Sequence, residues 1–271
     1  MQAGTLAYSP AGGNSPCFFF QRRNLTLLVP ILCDFKSKDG MAKTTGNRLL
    51  DALSANSLKT LLTHAREVAL PVRTRLYWPG EMPAYGYFLT SGIASVVAGL
   101  NDGGTAEVAV IGNEGLVGAL HIIGPIPAMT ECFMQVAGSG YRIALPTLRT
   151  LFNEHDEIRG RILEFVQSQN LAVSQVAACN KFHEAEPRLA RWLLMISDRV
   201  DSDTIYITQE FIAQMIGTRR TTVNGVLSAM QRKGLLTHER GKIILPARKS
   251  LEKAACDCYP LIRKSLFHLY S

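Results

Sequence analysis

Residues 156–183 contain no proline and a single glycine, Gly160. Their inward-type positions, Ile158, Ile162, Phe165, Gln169, Ala172, Val176 and Cys179, recur in steps of four and three. A 3.5-residue period held over that length predicts one long helix carrying a coiled-coil seam. Leu163, Val166 and Val173 form a second apolar stripe on the same helix. Two stripes demand two neighbours, so one faces the chain's own core and the other a partner helix. The first series is assigned to a parallel homodimer, with Gln169 fixing register at some cost in stability. The alternative is one long helix packed solely on its own domain.

The segments flanking this helix differ in texture. Between residues 80 and 140 lie 12 of the chain's 22 glycines. Short apolar runs separate them, among them Tyr87-Phe88-Leu89, Ala94-Ser95-Val96-Val97, Val108-Ala109-Val110-Ile111 and Phe133-Met134-Gln135-Val136. Asn101-Asp102-Gly103-Gly104 is a hairpin signal. Many short strands punctuated by turns predict an antiparallel barrel or sandwich. Leu49, Leu50, Leu53, Leu58, Leu61 and Leu62 predict one or two short helices before it. Pro146 opens a helix after it. Glu186-Pro187 is expected to end the long helix, and a further helix runs from Arg188 to about Val200, with Leu189, Trp192, Leu193 and Ile196 on one face. Ile205-Tyr206-Ile207 reads as a short strand. Residues 1–40 stand apart as a poorly defined extension: either a secretory signal beginning at Arg22-Arg23, or a start-site artefact with translation beginning at Met41. The second is preferred, because Pro30 interrupts the apolar run and no small-residue cleavage site follows.

The charge is distributed as unevenly as the glycines. The chain carries +7 overall, and residues 186–271 hold 14 basic against eight acidic groups. Such an asymmetry fits a polyanion-binding domain, although charge alone also fits a solvated basic surface. Within this third, Thr208 can cap a helix whose inner face is Ile212, Ala213 and Ile216, with Glu210 in the first turn. Gly217 stops it, and a second helix runs from about Arg219 to Arg232 with Val223, Val226, Leu227 and Met230 inside. A small residue and a glycine at this spacing predict a helix-turn-helix; the plain alternative is an ordinary helical hairpin. In the DNA-binding arrangement the second helix enters a major groove by its N-terminal residues, Arg219, Arg220, Thr221, Thr222 and Asn224, with Gly225 one turn on. Arg reads guanine O6 and N7, and Thr208 and Gln209 are placed to hold phosphate. Arg240-Gly241-Lys242 forms the tip of a small wing before Ile243-Ile244-Leu245, so Arg240 and Lys242 reach the backbone.

A turn-rich β region, a long helix and a winged helix-turn-helix together resemble the cyclic-AMP receptor protein and fumarate-nitrate reduction regulator (Crp/Fnr) family. The resemblance spans roughly residues 47–260. Its most specific segments are Thr208–Leu236 and Arg188-Leu189-Ala190-Arg191-Trp192-Leu193. Asp102-Gly103-Gly104-Thr105-Ala106-Glu107-Val108 and Gly112-Asn113-Glu114-Gly115-Leu116-Val117-Gly118 are similar to a less-studied branch of its sensory domain. The resemblance implies an α+β chain: an N-terminal cyclic-nucleotide-binding-like antiparallel β-barrel (jelly roll) in residues 41–155, a dimerisation helix at 156–184, and a winged helix-turn-helix at 185–271. It implies a cytoplasmic homodimer that reads a near-palindromic site in double-stranded DNA and works with RNA polymerase, without a membrane.

The departures from that pattern are specific. Cyclic-AMP-binding members place a Glu after a glycine for the ribose and an Arg-Ser pair for the phosphate. Here Ala119 follows Gly118, and Pro127-Ala128-Met129-Thr130-Glu131-Cys132 contains no arginine. A cyclic phosphate needs a cation or several amide donors to offset desolvation, so the usual cyclic-AMP binding is not expected. Glu114, Gly118, Ala119, Thr130 and Glu131 remain the residues placed at an effector pocket of unknown ligand. In the recognition helix Thr221 stands where many members have Glu, and Gly225 where some have Arg, so the operator is expected to differ from the usual half-site.

No cofactor and no metal is expected. Cys17, Cys33 and Cys132 are too scattered for an iron–sulfur cluster. Cys256 and Cys258 could bind metal or respond to oxidation with His238 or His268, but they read first as small core residues, because a four-ligand site needs partners at spacings the sequence does not display. A cupin-like enzyme is not expected, since residues 68–145 hold the single histidine His121, and no catalytic triad, P-loop or dinucleotide fingerprint is present. The competing reading is a non-enzymatic ligand-binding or scaffold module whose winged helix binds protein.

Overall fold

The structure, a computed structural model, describes residues 44–101, 103–200, 202–239 and 241–270. The extension at residues 1–40 and its two readings lie outside the described residues. Two short helices, α1 (Arg48–Asp51) and α2 (Ala55–Thr63), open the described chain. Asn47 caps α1 by accepting from the Leu50 amide at 3.1 Å. Its buried amide nitrogen donates to the carbonyls of Leu89, at 2.8 Å, and Gly115, at 2.9 Å. One fully satisfied polar side chain thus pins this corner to the sheets, where an unpaired one would be costly.

Eight strands follow: β1 (Arg66–Leu70), β2 (Arg75–Tyr77), β3 (Tyr85–Leu89), β4 (Ile93–Gly99), β5 (Thr105–Ile111), β6 (Leu116–Val117), β7 (Glu131–Val136) and β8 (Gly138–Ala144), with α3 (Ala119–Ile123) between β6 and β7. They form two antiparallel four-stranded sheets, ordered β1-β8-β3-β6 and β2-β7-β4-β5. Pairing strands so far apart in sequence across two sheets is the jelly-roll topology. All four apolar runs picked out in the sequence fall in strands, and between β4 and β5 the Leu100 amide bonds to the Gly104 carbonyl at 2.7 Å.

Helix α4 (Leu145–Glu154) carries Pro146 in its first turn and leads into the long helix α5 (Asp156–Phe182). At about 1.5 Å per residue, the 27 residues of α5 reach from one end of the jelly roll to the winged helix. It stops at Phe182, four residues before Glu186, and α6 (Ala185–Val200) has already begun at Pro187. Proline is tolerated there because a first-turn N–H has no intrahelical partner to lose. The remaining elements are β9 (Thr204–Tyr206), α7 (Gln209–Met215), α8 (Arg220–Arg232), β10 (Thr237–Glu239), β11 (Lys242–Ile244), α9 (Arg248–Ala254) and α10 (Cys258–Phe267). The wing is the antiparallel sheet β10-β11-β9. Among the described residues no helix is long and apolar enough to cross a membrane.

The seam assigned to a partner helix is turned inward instead. Ile158, Ile162 and Phe165 are buried in the jelly-roll core with Leu116, Leu148 and Leu151. Gln169 donates to the Val110 carbonyl at 3.4 Å, Ala172 and Val176 pack on the second core, and Cys179 is buried against Cys256 and Cys258. These seven residues are therefore this chain's internal face of α5. The sheets offer apolar surface within the same chain, so burying the stripe there costs no association entropy. The stripe left outside is Leu163, Val166, Asn170 and Val173, with Leu163 and Asn170 exposed and the two valines half-buried.

The close approach of α5 depends on Gly115. A β-carbon there would lie 2.0 Å from Cε2 of the Phe165 ring, a distance no packing tolerates. We expect Gly115→Ala to force the helix off the sheet and to lower stability by about 2 kcal/mol, in the range of overpacked cores. A urea midpoint matching wild type would show that α5 does not seat there.

Candidate nucleic-acid interface

The C-terminal third builds its exposed face from a simple local rule. Thr208 caps α7 by accepting from the Phe211 amide at 3.2 Å. Gly217 then adopts φ +59, a left-handed turn that suits glycine, and the Thr218 amide bonds to the Ala213 carbonyl at 2.9 Å. Ala213 is buried where α7 meets α8. Val223, Leu227 and Met230 are fully buried on the inner face of α8. Arg219, Arg220, Thr221, Thr222, Asn224 and Gly225 are all exposed on the other. Helical periodicity separates these two sets, so Arg219 at the N-cap and the five α8 residues Arg220, Thr221, Thr222, Asn224 and Gly225 are all exposed to solvent.

Around that face, Arg220 reaches Glu210 at 3.9 Å with both side chains largely exposed, a pair too wet to hold either group in place. Gln209 sits half-buried, 3.4 Å from Asn224 Oδ1. Lys242 lies on β11 beside Tyr206 of β9. Arg240 lies outside the described residues. Nothing stands within 4 Å of a β-carbon built on Gly225, so the lack of a side chain there opens room on the exposed face and serves no packing need inside the chain.

The winged helix is fastened to the jelly roll through a common core. Ile93 and Val97 of β4 and Val110 of β5 cluster with Trp192, Leu193 and Ile196 of α6 and with Ile212, Val223 and Leu227. Phe133 and Phe211 meet edge to face at 6.0 Å. Arg188 donates to the Ile216 carbonyl. Two buried carboxylates receive the helix. Glu114 accepts from Arg199 at 2.9 Å and from the Gly112 amide at 3.1 Å. Glu107 accepts from the Trp192 indole N–H at 2.7 Å, while its second oxygen has no hydrogen-bond partner. Burial pushes the Glu107 carboxyl from 4.5 up to about 7, opposed by hydrogen bonds from Ser95 and Trp192 and by the charges of Arg191 and Arg199.

A cavity of about 550 Å³ opens between the jelly roll and α5. Gly118, Ala119 and Thr130 line it as expected, together with Tyr77, His121, Leu116 and Ile123, and α5 closes it with Val166, Asn170 and Val173. Glu114 and Glu131 do not belong to it. The first is committed to Arg199, the second to Arg75. Among the described residues no lysine, arginine or carboxylate lines the cavity. Sequence reasoning missed α3, which walls the cavity, because five residues after a left-handed Gly118 give no periodic signal. It also missed the role of Glu107, whose partner lies 85 positions away.

Comparison with known proteins places these features in company. Residues 187–254 match the model of a Crp-like helix-turn-helix domain. The chain is 21% identical, over 76% of its length and 96% of the relative's, to the CRP-like cAMP-activated global transcriptional regulator of Mycobacterium tuberculosis. It is 23% identical to the CRP-like protein Clp of Xanthomonas oryzae pv. oryzae, over 72% of this chain and 89% of that one. Among solved structures it is similar to the c-di-GMP responsive global regulator CLP of Xanthomonas campestris, with a TM-score of 0.61 and 20% identity over 72% of this chain and all of that one. FixK2 of Bradyrhizobium japonicum gives 0.61 at 17% identity, over 71% and 98%. At these identities the solved structures establish the fold, and specificity must be argued from side chains.

The raised Glu107 carboxyl carries a pH prediction. A carboxyl that holds its proton more tightly folded than unfolded destabilises the fold as pH rises from its unfolded value through its folded one. This group is therefore expected to lower stability as pH rises from about 4.5 to about 7, by up to about 3 kcal/mol, and to add nothing further above. Urea melts at pH 5.5 and 8 should show this slope in wild type and lose most of it in Glu107→Gln. An unchanged slope in the variant would assign it to other groups.

Proposed function

We propose that the chain, whose residues 187–254 match a Crp-like helix-turn-helix domain, is a DNA-binding transcription regulator of the Crp/Fnr type, acting as a non-catalytic cytoplasmic homodimer whose two α8 helices read a near-palindromic operator. The observation that carries this reading is the single exposed face of Arg219, Arg220, Thr221, Thr222 and Asn224 on a helix whose opposite face is buried. In a two-fold dimer two such faces enter successive major grooves about 34 Å apart. Arg220 reads guanine, the threonines touch thymine methyl groups or phosphate, and Thr208, Gln209, Lys242 and Arg240 hold the backbone. RNA polymerase is the expected downstream partner.

The dimer contact falls on the outward stripe of α5. Leu163 and Asn170 are seven residues apart, as are Val166 and Val173, so they occupy equivalent positions of successive heptads. Asn170 in that seam would favour one register at a cost in stability. The same Val166, Asn170 and Val173 close the cavity, so a ligand there would bear directly on the dimer seam. The apolar, uncharged lining favours an uncharged, largely apolar effector over a cyclic phosphate, which would lie in it without a cation. A winged helix that binds protein is the remaining reading, and salt distinguishes the two.

Selection from a random duplex pool should return symmetric half-sites about ten base pairs apart. Affinity for the selected site should fall steeply with salt, in proportion to the phosphates neutralised. Arg220→Ala should cost about 1–3 kcal/mol and relax one base position. Salt-independent binding, or equal affinity of this variant for selected and random duplexes, would remove α8 from the role given to it. In sedimentation, Val173→Glu should shift the dimer toward monomer; a variant that stays fully dimeric would move the subunit contact elsewhere.

A further inference from the structure

Three cysteines and a histidine from opposite ends of the C-terminal half converge at one point. Cys179 lies in the last turn of α5, His183 directly follows that helix, Cys258 is the first residue of α10, and Cys256 lies two residues before it. One ligand atom from each lies within 4.8 Å of all the others. The Cys179 and Cys256 sulfurs are 3.5 Å apart, and Cys258 Sγ is 3.4 Å from His183 Nδ1. The three cysteines are buried and form a cluster of their own.

We propose that Cys179, His183, Cys256 and Cys258 form a structural zinc site. Zinc bound about 2.3 Å from each sulfur and about 2.0 Å from an imidazole nitrogen sets tetrahedral edges of about 3.8 Å between sulfurs and about 3.5 Å between sulfur and nitrogen. The Cys179–Cys256 and Cys258–His183 separations lie close to those edges, and all four atoms fall within 4.8 Å of one another. They are far from the roughly 2.05 Å of a disulfide. Three thiolates and an imidazole make a closed donor set with no open position, which is the structural and not the catalytic form.

The surroundings suit such a site. His183 turns its other ring nitrogen, Nε2, to Asp257 Oδ1 at 3.4 Å, the carboxylate–histidine relation that fixes the tautomer and aims Nδ1 at a metal. Gln175 donates its amide N–H to Cys258 Sγ at 3.1 Å, a donor suited to a thiolate. Three thiolates around a dication leave one net negative charge, and the guanidinium groups of Arg188 and Arg191 act on Cys179. Arg191 is itself buried. Neither His238 nor His268, the partners considered from sequence, belongs to this group.

The position gives the site a purpose independent of what α8 binds. His183 and Glu184 are the only residues between α5 and α6. A metal here staples that hinge to the α9–α10 corner, 77 positions on from Cys179 to Cys256. It would hold the winged helix to the end of α5 in one orientation.

The full-length chain, reduced, supplied with zinc and dialysed, should retain a single zinc per chain by elemental analysis, and cobalt(II) should give the visible bands of a tetrahedral thiolate site. Cys179→Ser and Cys258→Ser should each lose the metal, while Cys132→Ala, in the jelly-roll core, should keep it. His183→Gln should hold zinc at least tenfold more weakly by chelator competition. Wild-type protein that retains no zinc under these conditions overturns the proposal whether or not the variants fold. So does zinc that persists in both serine variants, bound iron in place of zinc, or a Cys179–Cys256 disulfide in protein isolated without reductant.

Discussion

A carboxyl group buried between two halves of the chain sets the terms on which they meet. Glu107 projects from β5 to the indole of Trp192 on α6, and around this bond the sheet and the winged helix share one apolar core. Glu114 and Arg199 add a second buried contact beside it, with side chains 4% and 6% exposed. Buried ion pairs often contribute little net stability, since desolvation offsets attraction, yet breaking one leaves a charge stranded. Their effect here is to define one docked arrangement. Sliding α6 along the sheet would strand Arg199, Glu114 or the Glu107 carboxyl without a partner.

That docking joins the two halves through packed side chains. A winged helix connected only by a flexible linker would respond weakly to events in the jelly roll. Here the sheet that carries Glu107 is in direct contact with α6, and α6 shares its core with α8. Helix α5 contributes the second connection. Its inner face is consumed by the two cores, and its outer face is shared between solvent and the cavity beneath Val166 and Val173. Cavity, outward stripe and docked winged helix are thus in series through packed side chains.

The chain's end closes the arrangement. Helix α10 returns to α5, where Ser168 and Ser265 hydrogen-bond at 2.8 Å. Leu269 and Tyr270 enter the jelly-roll core, and the Tyr270 hydroxyl donates to the Glu114 carbonyl at 2.9 Å. The tail of the segment read as a DNA-binding domain therefore packs on the jelly roll. The two functional halves are continuous in packing even though they are separable in sequence pattern.

Local rules determined a good deal. Turn residues between short apolar runs located the strands, a four-three repeat located α5, and a cap, a small residue and a left-handed glycine located α7 and α8, because each of these signals depends on neighbours within a few residues. The exposed face of α8 was legible for the same reason. Which stripe of α5 faces inward was not, since both are apolar and only the sheet, with Gly115 admitting the Phe165 ring, selects one. Glu114 and Glu131 looked like pocket residues until Arg199 and Arg75 were seen to occupy them. The convergence of Cys179 and His183 on Cys256 and Cys258 was equally invisible. Contacts across 75 or more positions are set by how the helices pack, and no pattern along the chain records them.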